Sequence, residues 1–488
     1  MKTLYLYFIY LGIVIILGFM DIIGDEHQRF ILLSLLLVLY NFVELGWLYK
    51  TNPKYFFINP VVLAVIANFF AYNGGVSNFL LLDEGAFVLD VLAAPLDEER
   101  YWLNYTMAYT CIASVFMWFG FKLSIGRKIS NVFLYTFEFR RLLGSDIRLL
   151  LVLILAVIGY LLKLYLIQIG LFGRIIDKSV SVSGEQVSFL YSQTRFLRSF
   201  STVPFLFICL MYYKNRTYKL RVIFLIVLSL EIFFAAISGA RGPIIITSIL
   251  VFLSSYFTQE KVNKTLLGFV IVSFVLAFSI IMEYKDFVLV ENPVGQSPTE
   301  LLSSFMEYRK KLSEDQQERI YGAVVQNFAA RVNFVDEAAM AIRYKELEGL
   351  KESDPNFIRP LLTIPLDVFI PKFIQGTPNV SWGLWFKVNV YKQTNDLIYN
   401  IAFSPIGYLY LAGGPIFIIL GYFAYGILIK AAYQFLNHGL LGFIVYLAIL
   451  SSIVVYKTGV ATTYVGFIRM LIVVPIGVGL VFRRFKIK

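Results

Sequence analysis

The chain of 488 residues is 58% hydrophobic and only 15% charged, against roughly half apolar and a quarter charged for soluble domains, and this excludes a water-soluble globular protein. Its formal net charge of +11 is concentrated in short loops and at the C-terminal end, where a membrane protein faces its cytoplasmic side, so nucleic acid is not needed to explain it. The two cysteines, Cys111 and Cys209, fall inside apolar runs and give neither a disulfide framework nor a metal pattern; they read as small core residues.

Apolar runs of about 18 residues or more, the length a helix needs to cross a roughly 30 Å hydrocarbon layer, recur along the chain. They predict an all-α, polytopic integral membrane protein with about twelve transmembrane helices. The spans fall near 3–23, 30–48, 55–73, 102–122, 149–171, 200–213, 222–239, 243–257, 265–283, 406–429, 440–456 and 464–482. The first is too long, and too poor in small residues at its end, for a cleaved signal peptide. Basic residues alternate between loops as the positive-inside rule demands. Lys50 and Lys54, then Lys122, Arg127, Lys128, Arg140, Arg141 and Arg148, then Lys214, Arg216, Lys219 and Arg221, and finally the tail from Arg483 to Lys488 share one side, and the acidic loop from Asp83 to Glu99 lies on the other. Both termini are therefore expected in the cytoplasm.

That orientation divides the chain into spans one to nine (1–283), an extracytoplasmic loop domain (284–405) and a last part with three spans and a basic tail (406–488). Residues 300–319 are charged and helix-friendly. Between 321 and 349, Val324, Val325, Phe328, Val332, Val335, Ala339 and Ile342 share a face, which predicts a half-buried helix. Five prolines from Pro355 to Pro378 then suggest a folded loop packed over the spans.

No Walker sequence, Rossmann glycine fingerprint, paired CxxC or HExxH is present, and histidine is limited to His27 and His438. What remains is arginine on the outer face. Arg241 sits in SGARGP between two closely spaced spans, in a turn whose backbone N–H groups and following helix favour an anion; the competing role is an arginine that snorkels to the headgroups. Arg331 lies at one edge of the apolar stripe of its helix and Arg343 at the other. Arg195, Arg198 and Arg469 lie near outer span ends, as interfacial anchors or as parts of a cationic site. Asp336, Glu337 and Asp396 are accessible candidates for a general base, each also readable as a solvated carboxylate. Within spans, Glu44 and Glu231 are costly to bury, and Lys163 is their candidate partner.

SGARGP between two central spans, NFAARVNFVDEAAMAI in the large loop, then IPLDVFIPKF, then SPIGYLYLAGGPIFIILGYFAYG give an ordered set of motifs that resembles the Wzy-type oligosaccharide repeat unit polymerases of bacterial inner membranes. The resemblance covers the second half of the chain by motif and the first half by topology and hydrophobicity. It implies a GT-C-like membrane glycosyltransferase in the bacterial cytoplasmic membrane, with outer arginines matching Arg241 and Arg331 holding a lipid-linked sugar. Its substrate would be an oligosaccharide on undecaprenyl pyrophosphate, and a chain-length regulator would be a candidate partner. Pro371, Lys372 and Phe373 match the family's proline–basic–aromatic step, with Lys replacing the usual Arg and so losing the bidentate fork. The family's glutamate after glycine is here Tyr408 after Gly407, and Tyr408 joins Lys372, Arg195, Arg198 and Arg469 in the expected substrate-binding set. No cofactor, metal ion or nucleotide is implied, because the leaving group carries its own activation.

Two alternatives stay open. An O-antigen ligase or another GT-C-type enzyme fits the topology, but the ligases are expected to use an outer-domain histidine, and 284–405 holds none. A flippase or transporter would show two similar halves with charged or broken helices near the midplane, and no such symmetry is visible. The topology is directly testable: a reporter fused within 300–350 should read as extracytoplasmic, and one fused after Lys488 as cytoplasmic. A cytoplasmic reading for the loop fusion would remove the polymerase expectation.

Overall fold

The computed structural model describes residues 2–20, 24–73, 96–136, 149–168, 171–172, 175–176, 201–238, 241–259, 263–291, 298–311, 334–369, 382–392, 404–438 and a few positions from 442 to 468. Helices make up nearly all of it. In chain order they are α1 (Lys2–Phe19), α2 (Glu26–Thr51), α3 (Pro60–Asn68), α4 (Leu96–Lys122), α5 (Ile125–Thr136), α6 (Leu149–Gln168), α7 (Thr202–Asn215), α8 (Tyr218–Ile237) and α9 (Arg241–Gln259). They continue with α10 (Lys264–Glu291), α11 (Pro298–Lys311), α12 (Phe334–Arg343), α13 (Arg359–Leu362), α14 (Ile364–Phe369), α15 (Trp382–Asn389), α16 (Pro405–Gly413) and α17 (Pro415–Phe435). A two-residue antiparallel ladder pairs Leu171 with Ile176 and Phe172 with Ile175. Four segments, Glu26–Thr51, Leu149–Ile167, Tyr218–Ile237 and Pro415–Phe435, are long and apolar enough to cross a membrane, and α4 with α5, bent by 54°, would make a fifth.

The chain forms two compact units, residues 1–143 with 328–480, and residues 144–327 with 481–488. In the first, polar contacts fix the helix directions. Asn104 donates to Glu26 O (2.9 Å), Ser114 and Trp118 both donate to Asn41 Oδ1 (3.0 Å each), and Lys122 pairs with Glu44 (2.7 Å), so α4 runs parallel to α2. The opposite direction holds for α1, where Tyr7 donates to Glu44 (2.7 Å) and Phe19 packs on Tyr105. Helix α17 runs parallel to α4, with Gly426 against Met117 and Phe121, and Gly120 against Phe423. Such small-residue contacts let helices approach where hydrocarbon offers no hydrophobic drive for association. These directions gather Lys50, Lys122, Arg127, Lys128 and Lys430 toward one end of the unit, the grouping that the positive-inside pattern predicts.

In the second unit α7 and α8 run antiparallel, with Tyr212 stacked on Phe224 (4.7 Å) near the turn and Ser201 donating to Glu231 (2.7 Å) farther along. Lys163 of α6 pairs with the same Glu231 at 2.9 Å. The expectation that Lys163 partners buried acids holds for Glu231, whereas Glu44 takes Lys122 and Tyr7.

Three expectations change. The span placed at 406–429 is two helices: Gly414 takes a positive φ of 70° and Pro415 starts α17 without an N–H to continue the ladder. The helix expected to be half-buried is buried on every side from Phe334 to Ile342. The segment 284–405 is shared between units: Arg309 of α11 pairs with Glu283 of α10 (2.9 Å), while α12 packs on α4 and α16. The segment near 55–73 holds a 3-10 turn, the nine-residue α3 and a π turn from Phe69 to Asn73. Predicted spans 440–456 and 464–482 lie almost wholly outside the described residues.

The glycine contacts yield a prediction. An added methyl on Gly120 or Gly426 would fall on backbone of the facing helix, and on Gly46 it would meet open space. Gly120→Ala or Gly426→Ala should therefore cost about 1–3 kcal/mol, read as a lower melting temperature in detergent, while Gly46→Ala leaves that temperature unchanged or higher.

Candidate functional site

Helix α12 begins with Asp336 and Glu337 in its first turn, where carboxylates complement the partial positive charge of a helix N-terminus. Its alanines allow close packing, and Gly407 of α16 lies against Ala338 and Ala341. As a result Asp336 is 2% and Glu337 8% exposed, not the accessible carboxylates expected from the sequence. Both are engaged in interactions with surrounding groups, as buried carboxylates must be. Around them lies a set of hydroxyls. Phe334 packs beside Tyr72, whose hydroxyl lies 3.2 Å from Ser404 Oγ and 3.4 Å from the Tyr422 hydroxyl. Glu337 is within electrostatic reach of Tyr72 and of Tyr391. Burial first, then the negative charges of Glu337 and Asp336, push the Tyr391 phenol well above its ordinary value.

The π turn that follows α12, from Tyr344 to Glu348, clasps α16. Lys345 Nζ donates to Tyr410 O (2.7 Å), which also accepts the Gly414 N–H (2.7 Å), and to Leu411 O (3.4 Å) at the end of α16, and it lies 5.3 Å from the Tyr410 ring. Tyr410 in turn donates to Glu346 (2.6 Å). Burial lowers the Lys345 pKa, with Glu346 acting in the opposite sense. Behind the clasp, Asp354 accepts from Tyr344 (3.0 Å), Trp385 Nε1 (3.1 Å) and Lys351 N (2.8 Å). Phe357 stacks edge-on with Trp385 and with Tyr408. Tyr408, placed in the substrate-binding set by sequence, is buried and donates to Phe357 O at 3.0 Å, so its hydroxyl ties α16 to this loop.

On the other side of Tyr72 a cavity of about 230 Å³ lies among α2, α3, α4 and α17. Its walls are mainly apolar, with Asn41, Asn68, Thr110, Ser114, Tyr72 and Tyr422 supplying polar groups. Phe42, Ile66 and Phe69 on its wall are 64%, 45% and 44% exposed. One tyrosine pair thus lines the cavity and carries the hydroxyl network beside the buried acids.

In the second unit Arg241 opens α9, directly after the turn closing α8. Ser238 caps that turn by donating to Ala235 O (2.7 Å), and Ala235 packs on Ile244. The backbone thus places Arg241 at a helix N-terminus, as the SGARGP motif predicts, and at the end of α8 away from the basic turn holding Lys214, Arg216, Lys219 and Arg221. Arg331, Asp396, Lys372, Arg195, Arg198 and Arg469 lie outside the described residues. Of the expected site residues, Asp336 and Tyr408 are described in the first unit, on the helices α12 and α16 that pack through Gly407.

No family model, curated protein or solved structure matches the chain. Sequence reasoning missed Tyr72, Ser404, Tyr422 and Tyr391, because a tyrosine in an aromatic-rich apolar run carries no signal that its hydroxyl will meet another. Lys345 was also missed, although LAGGP at 411–415 marks a helix break whose carbonyls need donors.

Replacing Lys345 by Met keeps the aliphatic stem and removes the donor. Leu411 O at the α16 break then loses this donor while Tyr410 O keeps the Gly414 N–H, and Lys345→Met should cost about 1–3 kcal/mol, measured by thermal unfolding in detergent. An unchanged midpoint would show that water satisfies Leu411 O.

Proposed function

We propose that the chain is a membrane glycosyltransferase that polymerises oligosaccharide repeat units carried on undecaprenyl pyrophosphate at the outer face of a bacterial cytoplasmic membrane. The observation that carries this reading is the placement of a buried acidic helix turn in the first unit. Asp336 and Glu337 lie beside a tyrosine–serine network, away from the end that holds Lys50, Lys122 and Lys128, and next to a cavity walled by candidate membrane spans. A substrate confined to the bilayer needs reactive groups at that depth. The apolar cavity wall, the tyrosine hydroxyls and the carboxylates provide the needed succession from hydrocarbon to acid–base chemistry.

In this reaction a sugar hydroxyl of one unit attacks the anomeric carbon of the other. The bond from that carbon to the pyrophosphate oxygen breaks, and the hydroxyl proton passes to a carboxylate. Asp336 is the described candidate for that base, with Asp396 as the sequence-level alternative. Negative charge develops on the departing pyrophosphate, where fixed cations contribute most; Arg241, Arg331 and Lys372 are assigned that task and Arg195, Arg198 and Arg469 the wider cationic surround. Arg241 at a helix N-terminus adds its charge to that of the helix dipole. Tyr408 supports the site through Phe357. A transporter is less well served, since Glu44 and Glu231 are both neutralised by lysines.

Arg241→Ala should abolish polymer while protein abundance and topology remain, a loss of about 2.7–4 kcal/mol or roughly a hundredfold to thousandfold in rate. Arg241→Lys should recover part of it, because the planar fork is lost but the charge remains. Cells with the alanine variant should accumulate single repeat units on a gel of surface glycolipid; a normal long ladder would reduce Arg241 to an interfacial anchor.

A further inference from the structure

Helix α5 stands apart from the other helices of the first unit. It follows α4 after a break of two residues and is bent from it by 54°. Because α4 runs parallel to the candidate spans α2 and α17, that bend turns α5 away from the span direction and toward the membrane surface. At about 100° per residue its positions sort into three sectors. Gly126 and Ser130 form the first, which is buried; Gly126 meets Ile427 O and the Cβ of Lys430, so a bulkier residue could not hold the helix this close to α17. The second is apolar and outward: Ile125 and Val132 are 44% and 63% exposed, with Ile129 between them partly covered. Arg127 and Lys128 supply the third with charge and are both exposed.

Among the described residues neither cation is paired with a carboxylate, whereas Lys122 is paired with Glu44 and Lys430 lies over the rings of Phe121 and Tyr433. An apolar sector at right angles to a packed one, followed by a cationic sector, is the pattern of a helix lying in the bilayer interface, its apolar side in the acyl boundary and its charges at headgroup level. We propose that α5 is an interfacial docking helix for anionic phospholipid, with Arg127 and Lys128 binding the headgroup phosphates of the leaflet at the basic end of the first unit. Charge complementarity selects anionic over zwitterionic lipid. The glycine-notched contact of α5 with α17 makes the site a fixed part of the protein surface. This site lies at the other end of the unit from α12 and is independent of the proposed reaction.

The test uses the full-length protein. After delipidation in detergent, it is offered phosphatidylglycerol or phosphatidylcholine, and retained lipid is counted by native mass spectrometry. Wild-type protein should retain phosphatidylglycerol in clear preference. Each basic group near an anionic surface contributes roughly a fivefold gain, so R127Q/K128Q should lower phosphatidylglycerol retention by roughly thirtyfold. The control K214Q/K219Q, which removes the same charge from exposed positions of the other unit, should leave most of it in place. In parallel, a fluorophore on Val132→Cys should be quenched by brominated acyl chains in vesicles of the same two lipids. Equal retention of both lipids, an equal loss in the control pair, or an unquenched label at position 132 would each overturn the proposal.

Discussion

Close approach of α4 and α17 is the constraint on which the first unit depends. Gly120 and Gly426 lie where each helix presents bare backbone to the other, and Gly126 extends the same contact into α5. In hydrocarbon, burial of apolar area does not distinguish a neighbouring helix from lipid, so van der Waals fit has to select the partner. Once these two helices are fixed side by side and parallel, the basic ends fall together, and α16, which precedes α17 in the chain, is carried to the other end beside α12. The bend into α5 is held by the same surface. Packing geometry thus sets which groups gather at each end of the first unit.

The second requirement is that backbone polar groups freed in an apolar setting find partners. The break at Gly414 splits what would otherwise be one long helix and releases carbonyls at the end of α16. Lys345 fills that need from a different element, and its neighbour Glu346 receives the Tyr410 hydroxyl, so one π turn satisfies the break and positions α12. The break therefore gives α12 a partner that is short, glycine-bearing and fixed in place. Without it, α16 would continue as part of a span, and there would be no notch at Gly407 to receive Ala338 and Ala341.

Much of this architecture was legible in the sequence, for reasons that can be named. Apolar runs placed helices at α1, α2, α4, α6, α8 and α9 within about six residues, and α2, α6 and α8 are long and apolar enough to cross a membrane. Arg241 was found at the start of a helix because SGARGP combines a turn with a helix start. The burial of Asp336 and Glu337 was not legible: a periodic stripe shows which face is apolar, but it does not reveal that other helices cover the polar face as well. The α16 break was passed over because the hydropathy of LAGGPIF is continuous, although its Gly-Gly-Pro step carries a helix-stop signal that the φ of Gly414 bears out.

The buried ions separate into two kinds, and the distinction bears on function. Glu231 with Lys163 and Ser201, and Glu44 with Lys122 and Tyr7, are sets in which each carboxylate meets a cation and a hydroxyl, an arrangement that joins helices. Asp336 and Glu337 are buried in another setting, with the phenols of Tyr72 and Tyr391 within electrostatic reach of Glu337 and a cavity beyond Tyr72 and Tyr422. Burial first, and then the charges of Glu337 and Asp336, favour the neutral, proton-bearing form of the Tyr391 phenol. Such a surrounding holds neutral phenols next to carboxylates, whereas the paired lysines elsewhere join helices and hold them in register.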